Sequence, residues 1–149
     1  MGRKGDHMRI TDLLDKNSIC LDASPADKTE ALNQIVSLMG KSGKINDIEA
    51  YRKQVFLREE ESTTGIGEGI AIPHGKCDAV TKPGLAAMVV KDGVDFDSLD
   101  GEPVTLLFLI AAPNTEDNVH LDVLSKLSVL MMDEDFSESL RNAKTVDEF

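Results

Sequence analysis

His74 is the residue in this sequence best framed to act as a nucleophile. It closes the stretch Arg58-Glu-Glu-Glu-Ser-Thr-Thr-Gly65-Ile-Gly67-Glu-Gly69-Ile-Ala-Ile-Pro73-His74-Gly75-Lys76. A neutral imidazole, with an unperturbed pKa of about 6.5, can attack phosphorus through one ring nitrogen while the other donates a hydrogen bond that fixes the tautomer. Pro73 sets its own φ and pushes Ile72 into extended backbone, so Ile70-Ala71-Ile72 reads as a strand whose end presents His74, with Gly75 leaving room beside the ring. Gly65, Gly67 and Gly69 alternate along the approach to that strand. Each glycine gives up backbone entropy on folding, so the run points to close backbone approach or positive φ rather than a spacer. An amide-rich loop facing a strand end can hold an anion through N–H groups, which makes Gly65, Gly67, Gly69 and Gly75 candidate phosphate-binding residues. The spacing matches neither a P-loop nor a dinucleotide fingerprint. Taken alone, the glycines fit a tight turn at least as well.

Two further side chains could serve a phosphoryl group on His74. His120 lies in Asn118-Val119-His120-Leu121-Asp122, where the first turn of a helix is expected. A helix N-terminus with an added imidazole donor stabilises an anion, although an exposed first-turn residue is the simpler reading. Arg58 offers a permanent cation whose planar fork suits phosphate oxygens. A rival constellation is His74-x-x-Cys77 with His120 and a carboxylate, which would make a metal-dependent hydrolase. Two ligands at short spacing arise easily by chance, and Cys77 reads more simply as a small, partly buried residue, so a metal site is not expected from these residues. Glu59, Glu60 and Glu61 read as a solvated face. Glu68, between two glycines, could orient a turn or meet a basic partner.

The elements that must position these groups follow from periodicity and caps. Ser24-Pro25-Ala26-Asp27 opens a helix burying Leu32, Ile35, Val36 and Met39 and ending at Gly40 or Gly43. A second helix starts at Asn46, with Glu49 three positions on, buries Ile48, Tyr51 and Val55, and runs towards Arg58. A third is expected near Asp117-Asn118, burying Leu124, Leu127 and Met131, and a fourth includes Phe136 and Leu140. Strands are expected at 18–22, 70–72, 85–90 and 104–110, the last a continuous apolar run that suits burial on both faces. Alternation of strands and helices predicts one α/β domain, a central mixed β-sheet flanked by helices on both faces.

Composition narrows the partners. The chain has 149 residues, 16 Lys+Arg against 27 Asp+Glu and a formal charge of -11. Such a balance repels nucleic acid and anionic lipid, with no local basic stripe to offset it, and favours basic partners. Cys20 and Cys77 form no disulfide framework and suit a reducing, cytoplasmic setting. No apolar run reaches the roughly 20 residues of a membrane span. Residues 1–7 read as an expression-tag remnant ahead of a domain spanning 8–149. Thr145-Val146-Asp147-Glu148 reads as a helix-opening capping box one residue before Phe149, as if cut from a longer polypeptide or frayed at a natural end.

Arg58-Glu59 followed by Ser62-Thr-Thr-Gly-Ile-Gly-Glu-Gly-Ile-Ala-Ile-Pro-His-Gly-Lys76 closely resembles the active-site signature of the fructose/mannitol-type (type 2) enzyme IIA domain of the bacterial phosphoenolpyruvate-dependent sugar phosphotransferase system. The resemblance extends to Val104-Thr-Leu-Leu-Phe-Leu-Ile-Ala-Ala-Pro113, Asn118-Val-His-Leu121 and Leu140-Arg-Asn-Ala-Lys-Thr145. It implies that His74 accepts a phosphoryl group from the phosphocarrier HPr and passes it to a cysteine of an enzyme IIB domain. It implies also that His120 is a phosphate-stabilising partner, that Arg58 neutralises charge, and that no metal or cofactor takes part. The wording of the glycine run resembles the fructose branch. The alternative is a nitrogen-related regulatory paralogue, whose phosphorylation state controls partner proteins.

Overall fold

The computed structural model describes residues 14–61, 65–67, 69–82, 84–96, 98, 100–113, 125, 127, 129 and 134–142. Six strands form one mixed sheet: β1 Leu14–Cys20, β2 Gly65–Gly67, β3 Ile70–Ala71, β4 His74–Cys77, β5 Gly84–Val94 and β6 Val104–Pro113. Their order is β1-β5-β6-β3-β2, with β4 also paired to β6. β5 and β6 run antiparallel at the centre, while β1 lies parallel to β5, and β3 and β4 lie parallel to β6. Three helices are described in full: α1 Lys28–Gly40, α2 Ile48–Glu61 and α3 Glu134–Arg141.

Period-two alternation on the central strands sends side chains to both faces, and both faces are covered. Ala86, Met88, Val90, Leu107, Leu109 and Ala111 pack with Leu32, Ile35, Val36 and Met39 of α1 and with Tyr51 and Val55 of α2. On the opposite face Leu85, Ala87, Val89, Leu106, Phe108 and Ile110 meet Leu127 and Leu140. Helices therefore flank the sheet on both sides, as expected, and the apolar run 104–110 is the doubly buried strand that its composition predicted. The predicted start of the third helix, with Leu124 and Met131, lies outside the described residues. Ser125, Leu127 and Val129 are helical.

Several predicted boundaries shift, each for a physical reason. α1 is capped by Asp27, whose carboxylate accepts the Glu30 N–H at 2.8 Å, and not by Ser24. The chain before it is still held beside β5 by the Ala23 N–H, which donates to the Val89 carbonyl, and residues 24–26 are not helical. Likewise α2 is capped by Asp47, which accepts from the Ala50 N–H at 3.1 Å, while the preceding Asn46 donates its N–H to the Ala79 carbonyl. β1 ends at Cys20 where 18–22 was expected, since Leu21 and Asp22 bend away from β5. Its upstream half, Leu-Asp-Lys-Asn, carries no strand pattern in hydropathy, and its backbone pairs with β5 at Leu14 and Leu85.

Glu59 is the clearest departure from a solvated acidic face. Glu60 and Glu61 are exposed, but the Glu59 carboxylate is only 5% exposed and meets Lys28 Nζ at 2.9 Å. Lys28 Nζ also stands 4.8 Å from the centroid of the Phe96 ring, so one cation ties the start of α1 to the end of α2 and to the chain after β5. Removing one partner of a nearly buried pair exposes the other to its full desolvation penalty. Lys28→Ala should therefore lower unfolding free energy by about 1–3 kcal/mol in urea titrations, and adding Glu59→Gln should recover part of it. An unchanged midpoint in Lys28→Ala would contradict this.

Candidate functional site

β3 and β4 are one strand interrupted. Ala71 pairs with Leu107 and His74 with Ile110, three residues on along both strands, so the register survives the break at Ile72-Pro73. Proline has no N–H to give the ladder, yet its carbonyl still accepts from the Ile110 N–H at 3.0 Å. His74 thus opens a second strand segment, where the sequence had suggested that it ends the first.

The His74 ring is half-buried, and its Nδ1 lies 3.2 Å from the Ile72 carbonyl oxygen. A carbonyl only accepts, so Nδ1 carries the proton and the neutral ring's lone pair falls on Nε2. Burial pushes the imidazole below the usual histidine value. The Ile72 bond pulls it upward, the Arg58 charge presses it down, and Glu59 and Glu61 pull it up again, with burial prevailing. At neutral pH the ring is therefore predominantly uncharged.

Arg58 sits half-buried in the last turn of α2, and its charge is felt at His74, so the fold brings these two predicted site residues together. The glycine run forms a hairpin, in keeping with the tight-turn reading of the glycines and with a more ordered backbone than a flexible loop. Gly65 pairs with Ala71 and Gly67 with Ile70 in an antiparallel ladder. Gly69 adopts φ 78°, the left-handed region that favours glycine, and its carbonyl accepts from the Thr105 and Leu106 N–H groups. Glu68 and His120 lie outside the described residues. The room that Gly75 leaves is taken up by α2. A Cβ there would stand 3.0 Å from Val55 Cγ2 and 3.1 Å from Tyr51 Cε1.

Tyr51, assigned to the core on periodicity alone, does more than fill space. It is fully buried, and its hydroxyl donates to the Ile110 carbonyl at 2.7 Å, the residue opposite His74. Burial pushes its phenol well above the ordinary range, which keeps the hydroxyl a donor. The signal was available, because a buried tyrosine must find a partner for its hydroxyl. Cys77 lies three residues after His74 on the same strand, so the two side chains leave opposite faces, and Cys77 packs against the α1–α2 core. That geometry disfavours their sharing a metal. Among the described residues no helix is long and apolar enough to cross a membrane.

Residues 12–149 match the family described as "Phosphoenolpyruvate-dependent sugar phosphotransferase system, EIIA 2". The chain is 45% identical over 140 residues to the "PTS system fructose-specific EIIABC component" of Bacillus subtilis (strain 168), a match covering 94% of this chain and 22% of that relative's length. Its fold is similar to the crystal structure of the nitrogen regulatory protein IIA-Ntr from Neisseria meningitidis, with a TM-score of 0.86, 30% identity, and coverage of 93% of this chain and 94% of that one. It is similar also to enzyme IIAMTL in its complex with phosphorylated enzyme IIBMTL from Escherichia coli, at a TM-score of 0.78 and 31% identity over 91% of this chain and 94% of that one. The half-buried histidine after Ile-Pro, the glycine hairpin beside it and the match over nearly the whole chain lead to one conclusion: the chain belongs to the EIIA 2 family of the phosphoenolpyruvate-dependent sugar phosphotransferase system.

Proposed function

We propose that this domain is a phosphocarrier in which His74 takes a phosphoryl group from the HPr phosphocarrier protein and gives it to a cysteine of an enzyme IIB domain during uptake of a fructose-type sugar. The observation that carries the reading is the Nδ1 contact with the Ile72 carbonyl, which leaves the Nε2 lone pair to attack. In the first transfer that lone pair forms an N–P bond as the donor's N–P bond breaks, and the donor nitrogen keeps the electron pair. In the second, a thiolate sulfur attacks phosphorus and the pair returns to Nε2. No net proton or electron is consumed, so alignment and charge stabilisation carry the chemistry. In this reading Arg58 offsets the phosphoryl charge, with His120 as a second donor and the backbone amides of the glycine run as further ones. Exposed Glu60 and Glu61, at the end of α2, suit a basic docking face on the donor.

The similarity to the fructose-specific Bacillus protein favours sugar transport, and the similarity to IIA-Ntr supports a regulatory role as the second reading. Transfer from the phosphorylated chain to a fructose-type IIB cysteine favours the first. Retention of the phosphate in the presence of that domain favours the second.

With phosphoenolpyruvate, enzyme I and HPr, the chain should take up one phosphate in an acid-labile, alkali-stable linkage, and His74→Ala should abolish it. Uptake undiminished by that substitution would refute the assignment. His120→Ala should slow transfer while leaving acceptance measurable. Wild-type kinetics there would remove His120 from the site.

The pH dependence has a definite sign. Because the folded ring binds its proton less readily than the unfolded one, His74 destabilises the fold as pH falls below about 6.5, with the penalty complete below the folded value. Acceptance should decline with protonation of the same ring. An NMR titration of His74 should therefore show an inflection below about 6.5, coincident with the fall in transfer rate. An inflection above that value would contradict the neutral-nucleophile reading.

A further inference from the structure

We propose that Tyr51 is a positioning residue for His74, fixing α2 against β4 and β6 and thereby setting where the Arg58 end of that helix stands relative to the imidazole. This rests on the reading of His74 as the phosphoryl acceptor.

Tyr51, Val55 and Arg58 follow at i, i+4 and i+7, one stripe of α2. Glu59, the next position on that stripe, is buried against Lys28 of α1, so both ends of α2 are fastened, one to the sheet and the other to α1. At the Tyr51 end the fastening has two parts. The hydroxyl bonds the carbonyl of Ile110, the residue paired with His74. The ring edge, with Val55, rests where a side chain on Gly75 would otherwise stand. Gly75 directly follows His74, so the acceptor's own backbone forms the seat for the helix that carries Arg58. Because an α-helix rises about 1.5 Å per residue, Arg58 lies about 10 Å along the axis from Tyr51 and about 5 Å from Val55. A stiff helix conveys a small shift at one end to the other.

Tyr51→Phe keeps the ring and deletes the hydroxyl. It should lower the maximal rate of phosphoryl acceptance from phospho-HPr about tenfold while leaving KM within about twofold, the pattern of a misaligned acceptor. The His74 NMR titration in the same variant should move up towards 6.5 as burial and the Arg58 charge relax. Gly75→Ala, one methyl against the same ring edge, should produce the same two changes and stands in should Tyr51→Phe not fold. Val36→Ala, a core truncation on α1 away from β4, should lower stability yet leave the rate and the titration where they were. Unchanged acceptance and titration in folded Tyr51→Phe would overturn the proposal. So would an equal titration shift in Val36→Ala, since His74 would then merely follow global stability. If wild-type protein takes no phosphate on His74, the phosphocarrier reading itself has failed, and the titration arm still decides whether Tyr51 seats the helix.

Discussion

The seating of α2 on β4 at Gly75 is the constraint on which the rest of the site depends. A Cβ at position 75 would stand 3.0 Å from Val55 Cγ2 and 3.1 Å from Tyr51 Cε1, so glycine lets the helix approach the strand without either side chain giving way. That approach brings the Arg58 turn beside a strand whose first residue is His74. Replacing an ordinary strand residue by glycine weakens the strand locally, by roughly 0.5–1 kcal/mol relative to alanine. Here β4 recovers order from two directions, through its ladder with β6 and through the buried tyrosine hydroxyl on the carbonyl of Ile110.

The same packing explains the electrostatics. A histidine out in water would be partly protonated near neutrality and a poorer nucleophile. Half-burial beside Arg58 disfavours the charged ring, while the Ile72 carbonyl holds the proton on Nδ1. The opposing pull of Glu59 and Glu61 limits the shift. A relay needs such moderation, because a phosphoryl group bound too tightly would not move on. Glu59 is itself held by Lys28 at the other end of a short chain of charges, so the acidic end of α2 is part of the fold and not only of its surface.

Much of this was legible from residue types and spacing. The apolar stripes of α1 and α2, the doubly buried run of β6 and the extended approach to His74 all follow from local rules that the tertiary structure did not override. What escaped was long-range. Gly75 was read as making space for the imidazole because its neighbours in sequence are His74 and Lys76. Its neighbours in space are Tyr51 and Val55. Glu59 looked solvated within a run of three glutamates, since nothing in that run reveals that Lys28 of another helix reaches it. Asp27 and Asp47, rather than Ser24 and Asn46, open the two helices by accepting the Glu30 and Ala50 N–H groups, a choice among nearby polar residues that the local sequence does not make.

The most direct test of the central claim is to phosphorylate uniformly 15N-labelled protein and read the His74 ring by 15N and 31P NMR. A ring that is neutral and Nδ1-protonated before transfer, and bonded to phosphorus through Nε2 afterwards, is the predicted result. Phosphorus on Nδ1, or on any other residue, would contradict it.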